Sequence, residues 1–199
     1  MDAAEASARW CVVTGGRGFA ARHLVLMLLR SGEWRVRVAD LAQVISLDLD
    51  EEQGILGAAI REGQAVYASA DLRDKAQLAK AFEGAEVVFH MAAPDSSINN
   101  FHLHYSVNVE GTKNVIDACI HCKVKRLIYT SSPSVVFDGV HGIFNADESM
   151  PYPDKLGIRV FGYCQIQQQQ QQQQQQTSWS RLELKPIISR NQLMVLAHG

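Results

Sequence analysis

Residues 9–21, RWCVVTGGRGFAA, decide the fold. Arg9 to Thr14 is a short apolar run with two adjacent valines, which reads as a buried strand. It ends in Gly15, Gly16 and Gly18, and Ala21 takes the third small position of a G-x-x-G-x-x-A pattern. Such a turn lets the backbone approach a pyrophosphate at the positive end of the helix that follows. Glycines also occur in strand–helix turns for geometry alone. The downstream pattern therefore has to support the reading.

Going outward, residues 18–31 carry Leu24, Leu26, Met27, Leu28 and Leu29 without a breaker and stop at Gly32, which predicts a helix. Trp34 to Asp40 alternates and predicts a second strand. A helix over 50–61 with Asp50 as its cap, a strand over 65–70 and a helix over 72–82 follow. Then come a strand over 87–92, a long helix over 105–122 and a strand over 126–130. Strands apolar along their length, alternating with helices, imply a doubly wound, Rossmann-like α/β parallel sheet covered on both faces. Asp40 ends the second strand about 20 residues beyond the glycines, where a carboxylate accepts hydrogen bonds from a ribose. That carboxylate repels a 2′-phosphate, so NAD is expected over NADP; the alternative is a solvated strand-end carboxylate. Arg37 argues the other way but lies within the strand.

The composition is that of a soluble globular chain, 47% hydrophobic and 20% charged. A net charge of −2 gives no electrostatic reason to expect nucleic acid or an anionic membrane as partner. Four cysteines are too few for a disulfide scaffold, so a reducing compartment is expected. Cys119-Ile-His-Cys122 has half-site spacing without a second ligand pair, and core packing is the expected role, with no metal. The start of the chain lacks the pattern of a signal peptide, and no window approaches ~20 continuous apolar residues, so no membrane span is expected. After Phe137 the pattern weakens and from Gln165 it is lost, which puts the boundary of a nucleotide-binding domain over 1–160 near residue 160. Ten glutamines occupy 167–176, and the rest of 161–199 reads as an irregular tail with a short helix near Leu193.

Several stretches together resemble an extended short-chain dehydrogenase/reductase of the 3β-hydroxysteroid dehydrogenase group. They are T-G-G-x-G-F-x-A from Thr14, Asp71-Leu72, His90-Met-Ala-Ala93, Tyr105-Ser-Val-Asn-Val-Glu-Gly-Thr112 and Tyr129-Thr-Ser-Ser-Pro-Ser-Val-Val136, in order over about residues 9–155. The run AAPDSSINNFHLHYSVNVEGTKNVIDAC is similar to members acting on 4α-carboxysterols. The resemblance implies NAD as cofactor, a sterol substrate and the cytosolic face of the endoplasmic reticulum, or the cytoplasm if the chain acts alone. It adds Phe19 to the glycine turn and assigns Asp71, with the Leu72 backbone, to the adenine amino group; Asp71 reads equally as a helix N-cap. Ala92 and Ala93 would let the cofactor lie across the fourth strand. Asn108 would brace the sheet or a water, and Ser132 would be the catalytic serine.

The same resemblance implies a tyrosine that takes the hydroxyl proton, with a lysine four residues later that lowers its pKa. No Tyr-x-x-x-Lys occurs in these 199 residues. Tyr152 meets Lys155 at three, and Tyr163 meets the uncharged Gln167 at four. Without a neighbouring cation nothing brings a tyrosine down from about 10, so Tyr163 is a weak candidate base. The expectation is a shortened family member, its sheet left with an uncovered edge, that keeps the cofactor cradle and has little or no activity. Two further expectations compete with the family activity: an NAD-binding, non-catalytic chain that associates with a full-length relative, and self-association through the glutamines.

Overall fold

A computed structural model of the protein describes residues 9–95, 97–130, 185–189 and 192–198. Four strands, β1 (Trp10–Thr14), β2 (Arg35–Asp40), β3 (Ala65–Ser69) and β4 (Ala85–His90), lie parallel in the order β3-β2-β1-β4. A fifth, β5 (Arg126–Thr130), extends the parallel set beside β4. The chain passes from β1 to β2 through α1 (Phe19–Ser31), and from β2 to β3 through α2 (Leu49–Gln53) and α3 (Ile55–Arg61). α4 (Lys75–Phe82) leads to β4. α5 (Phe101–His104), a π-helical turn (Tyr105–Glu110) and α6 (Gly111–His121) run on to β5.

Both faces of the sheet are packed, as the uniformly apolar strands require. Val12, Ala39, Val88 and Leu127 turn to one face, where Leu78 and Phe82 of α4 and Val115 and Cys119 of α6 meet them. Cys11, Val13, Val36, Val38 and Val87 turn to the other, against Ala21 and Val25 of α1 and Leu56 of α3. Burying each valine or leucine is worth roughly 1.5–3 kcal/mol, so the alternating strand residues hold the two layers together. Cys119 belongs to the first layer and is fully buried, with burial raising its thiol pKa. It packs as a small apolar side chain, the role expected from its helix.

Several element boundaries differ from the sequence reading. The helix expected over 50–61 is two helices broken at Gly54, and its cap is Asp48 rather than Asp50. Asp48 accepts the Glu51 N–H while Glu51 accepts the Asp48 N–H, a reciprocal capping box. The helix expected from Leu72 begins at Lys75, because Asp74 accepts the N–H groups of Ala76 and Gln77. Asp71 is thus not the helix cap. The fourth strand ends at His90, two residues early, because the Thr14 hydroxyl accepts the next two N–H groups, from Met91 and Ala92. The long helix starts earlier than Tyr105, at Phe101, capped by Asn100.

The sheet also continues where an open edge and an irregular tail were expected. β6 (Lys185–Ser189) and β7 (Gln192–His198) form an antiparallel pair, and β7 pairs antiparallel with β5 from Arg126↔His198 to Thr130↔Met194. Residues near Leu193 are therefore strand, not helix. An unpaired row of N–H and C=O groups on β5 is a ready template for another strand, and β7 supplies it. Among the described residues no helix is long and apolar enough to cross a membrane.

Candidate functional site

The carboxyl ends of β1, β2, β3 and β4 open into one pocket of about 510 Å³. Its lining includes Gly15, Arg17, Gly18, Asp40, Asp71, Leu72, Ala92 and Ala93. Open α/β sheets bind ligands at this end of the strands, beside the strand where the order reverses. Here that strand is β1, from which the chain goes first to β2 and later to β4.

The glycine turn is shaped by contacts at two of its positions. Gly15 has φ +63°, and a Cβ there would lie 2.6 Å from the Ala92 Cα. A Cβ on Gly16 would lie 2.7 Å from Val38 Cγ1, so the turn is pressed onto β2 from below. Gly16 also donates its N–H to the Ala39 carbonyl at 3.2 Å. Gly18 then caps α1. No side chain caps that helix and no acidic residue stands in its first turn. The N–H groups and positive dipole end of a 13-residue helix are thus left for an anion.

Asp40 stands across from the turn. Its Oδ2 accepts the Arg17 N–H at 2.9 Å and its Oδ1 accepts the Leu41 N–H at 2.7 Å. Two backbone donors fix the carboxylate, and each oxygen keeps a lone pair for a further donor. Arg37 does not compete with it. Its guanidinium donates to the carbonyls of Ala81 and Glu83 at the end of α4, where a cation suits the helix dipole. Arg17 and Arg73 both line the pocket, and both terminal nitrogens of Arg17 bond Glu51, at 2.8 and 2.7 Å.

Asp71 and Leu72 form the third corner. The Asp71 carboxylate takes the Arg73 N–H and guanidinium, whose hydrogen bonds hold it below the usual carboxylate range. Leu72 is positioned by α6: a Cβ on Gly111 would come 2.9 Å from Leu72 Cβ, and Asn114 donates to the Leu72 carbonyl at 3.0 Å. Other expected residues sit elsewhere. Ala21 is buried in the core under α1, and the Phe19 ring is 86% exposed with its edge against His23. Asn108 is buried in the π-helical turn, and its Nδ2 has no hydrogen-bond partner among the described residues. Ala92 and Ala93 lie just beyond β4 rather than within it. Ser132, Tyr152, Lys155, Tyr163 and Cys164 lie outside the described residues, as do the glutamines.

A buried chain of hydrogen bonds beneath the pocket was not foreseen. His90 Nδ1 is 2.8 Å from Thr14 Oγ1, and His90 Nε2 is 2.9 Å from Thr112 Oγ1. Thr14 Oγ1 already accepts the N–H groups of Met91 and Ala92, so its one proton goes to His90 Nδ1. The imidazole is then neutral, with its proton on Nε2 donated to Thr112. Burial pulls its pKa down to about 4, which fits the neutral ring. Polar residues at the last positions of paired apolar strands, Thr14 opposite His90, were the available signal. Reading it requires the β1–β4 register.

Residues 12–168 match the 3-beta hydroxysteroid dehydrogenase/isomerase family. The chain is 74% identical, over 147 residues, to the 3beta-hydroxysteroid-dehydrogenase/decarboxylase isoform 1 of Arabidopsis thaliana, covering 74% of this chain and 34% of that protein. It is 40% identical over 148 residues to the human sterol-4-alpha-carboxylate 3-dehydrogenase, decarboxylating, covering 74% of this chain and 35% of that one. It thus spans about a third of the length of these curated relatives. Among solved structures it resembles a short-chain dehydrogenase/reductase superfamily protein of Agrobacterium tumefaciens with bound NAD, at a TM-score of 0.65 and 23% identity over 85% of this chain and 46% of that one. The UDP-glucose 4-epimerase of Bifidobacterium longum gives 0.68 and 21% over 86% and 49%. At such identities the likeness is one of fold.

Proposed function

The chain belongs to the 3-beta hydroxysteroid dehydrogenase/isomerase family, and from that premise we propose that its pocket holds NAD for oxidation of the 3β-hydroxyl of a sterol, a 4α-carboxysterol in particular. The observation that carries the cofactor half is the pairing of the Gly15–Gly18 turn with the anchored Asp40 carboxylate across one pocket. The residues fit the group. The turn brings backbone and a helix N-terminus to where a pyrophosphate would lie, and Asp40 offers acceptors to the ribose hydroxyls. Asp71 and Leu72 face the adenine end, and Ala92 and Ala93 leave the β4 side of the pocket free of bulk. The substrate half is supported by the activities for which the relatives are named.

When bound, NAD accepts the hydride leaving sterol C3. The hydroxyl proton must go to a base, and here these residues fall short. No tyrosine of the 199 is followed at four by lysine. Ser132 would polarise the substrate oxygen, and Tyr163 would have to act without an adjacent cation to ease its ionisation. The neutral His90 is spent on Thr14 and Thr112 and is fully buried, so it is no substitute. These 199 residues therefore bind NAD and turn sterol over slowly or not at all.

The missing pair favours a second reading, a non-catalytic NAD-binding chain that acts by associating with a longer relative. Following NADH formation with a 3β-hydroxy-4α-carboxysterol separates the two, run beside a relative that has the tyrosine–lysine pair. NAD binding with turnover at most a hundredth of the relative's is expected. Turnover equal to that relative would overturn the claim of weak activity.

A further inference from the structure

We propose that Glu51 sets the dinucleotide preference of the pocket by holding the Arg17 guanidinium away from a 2′-phosphate, an inference that rests on the NAD reading above. Two signals conflict at this corner. Asp40 suits an unmodified ribose, whereas Arg17, in the glycine turn and lining the same pocket, offers a cation and a planar fork of donors to a phosphate. A free guanidinium beside Asp40 would offset the carboxylate that excludes the phosphate.

Arg17 is not free. Nη1 and Nη2 donate to the two oxygens of Glu51 at 2.8 and 2.7 Å, and Nη2 also donates to the Ser46 carbonyl at 2.8 Å. The paired side chains are only 20% and 14% exposed, so solvent competes little for them. Glu51 itself is set by the capping box with Asp48 and takes a second cation, Arg22, at 2.7 Å. The hydrogen bond from Arg17 first, and the charges of Arg17 and Arg22 with it, lower the Glu51 pKa to about 2. The pair therefore stays charged throughout the neutral range. Its geometry directs Arg17 toward α2, and its charge cancels that of the arginine. Glu51 is a positioning residue: it acts through Arg17.

The test titrates the whole 199-residue protein with NAD and with NADP and reads the ratio of the two affinities. Glu51→Gln keeps the side-chain length and a capping acceptor but loses the charge, and it should raise the affinity for NADP relative to NAD about tenfold. Glu51→Met replaces it if the first variant does not fold. Glu51→Asp, which keeps the charge, should restore preference toward NAD. Adding Arg17→Gln to Glu51→Gln should abolish the gain, because Arg17 is its source. A merely structural role for Glu51 would weaken both dinucleotides alike. An unchanged ratio in a neutral variant that still binds NAD, or a gain that survives loss of Arg17, overturns this inference alone. Binding of neither dinucleotide by the unaltered protein overturns the nucleotide reading and this inference together.

Discussion

Asp40 carries the largest share of the cofactor reading at the scale of single residues. Its two oxygens are held by the Arg17 and Leu41 N–H groups. Asp40→Asn keeps an acceptor but loses the charge that strengthens a hydrogen bond to ribose, so NAD affinity should fall about tenfold, measured by calorimetric titration. Gly15 is equally exacting. Gly15→Ala must adopt φ +63° and place a methyl 2.6 Å from the Ala92 Cα, so a loss of roughly 1–3 kcal/mol is expected in urea unfolding. His90 gives a pH prediction. Its folded pKa, about 4, lies below the unfolded value of about 6.5. Between those values the unfolded chain binds more protons, so this contribution is complete above about pH 6.5 and fades as pH falls toward 4. Unfolding free energies from urea titrations at pH 7 and pH 5 should differ by roughly 2 kcal/mol from this group, and His90→Gln should shrink that difference. Glycines and Asp40 were legible from spacing alone. The His90 network and Glu51 were not: their partners are 76 and 34 residues away, and only the folded register joins them.

Local signals at the scale of elements fixed which segments are helix or strand better than where they end. The apolar run Cys11–Val13 and the alternating Val36–Val38 announce strands: Cys11 and Val13 bury on one face and Val12 on the other, while Val36 and Val38 share one face. Ends depend on single side chains. Asp74 rather than Asp71 caps α4, since its carboxylate reaches two N–H groups of the first turn while Asp71 is taken by Arg73. Asp74→Ala should therefore cost about 1 kcal/mol of stability, and Asp71→Ala should leave the α4 cap intact. Paired thermal melts of the two variants check this. α6 reaches the site indirectly, through the fit of Gly111 against Leu72. The π-helical turn just before it had no counterpart in the apolar period, because an i→i+5 bond such as Gly111 N–H to Ser106 C=O leaves no spacing mark of its own.

For the molecule as a whole, the sequence pattern predicts a doubly wound parallel sheet, and five strands of the described sheet follow it in the order β3-β2-β1-β4-β5. Beyond β5 the pattern failed. β6 and β7 pair locally with each other, but β7 reaches β5 only by a long-range register, and a ten-glutamine run separates the pair in sequence from any patterned neighbour. The sheet's carboxyl ends gather the residues proposed to hold the nucleotide into one pocket, while the 199 residues contain no tyrosine–lysine pair at the family spacing. Cofactor binding is therefore the property on which the proposed function rests. Calorimetric titration of the protein with NAD tests it most directly: one saturable site per chain, weakened in Asp40→Asn, is the predicted result. Absence of saturable binding, or binding that Asp40→Asn leaves unchanged, would contradict it.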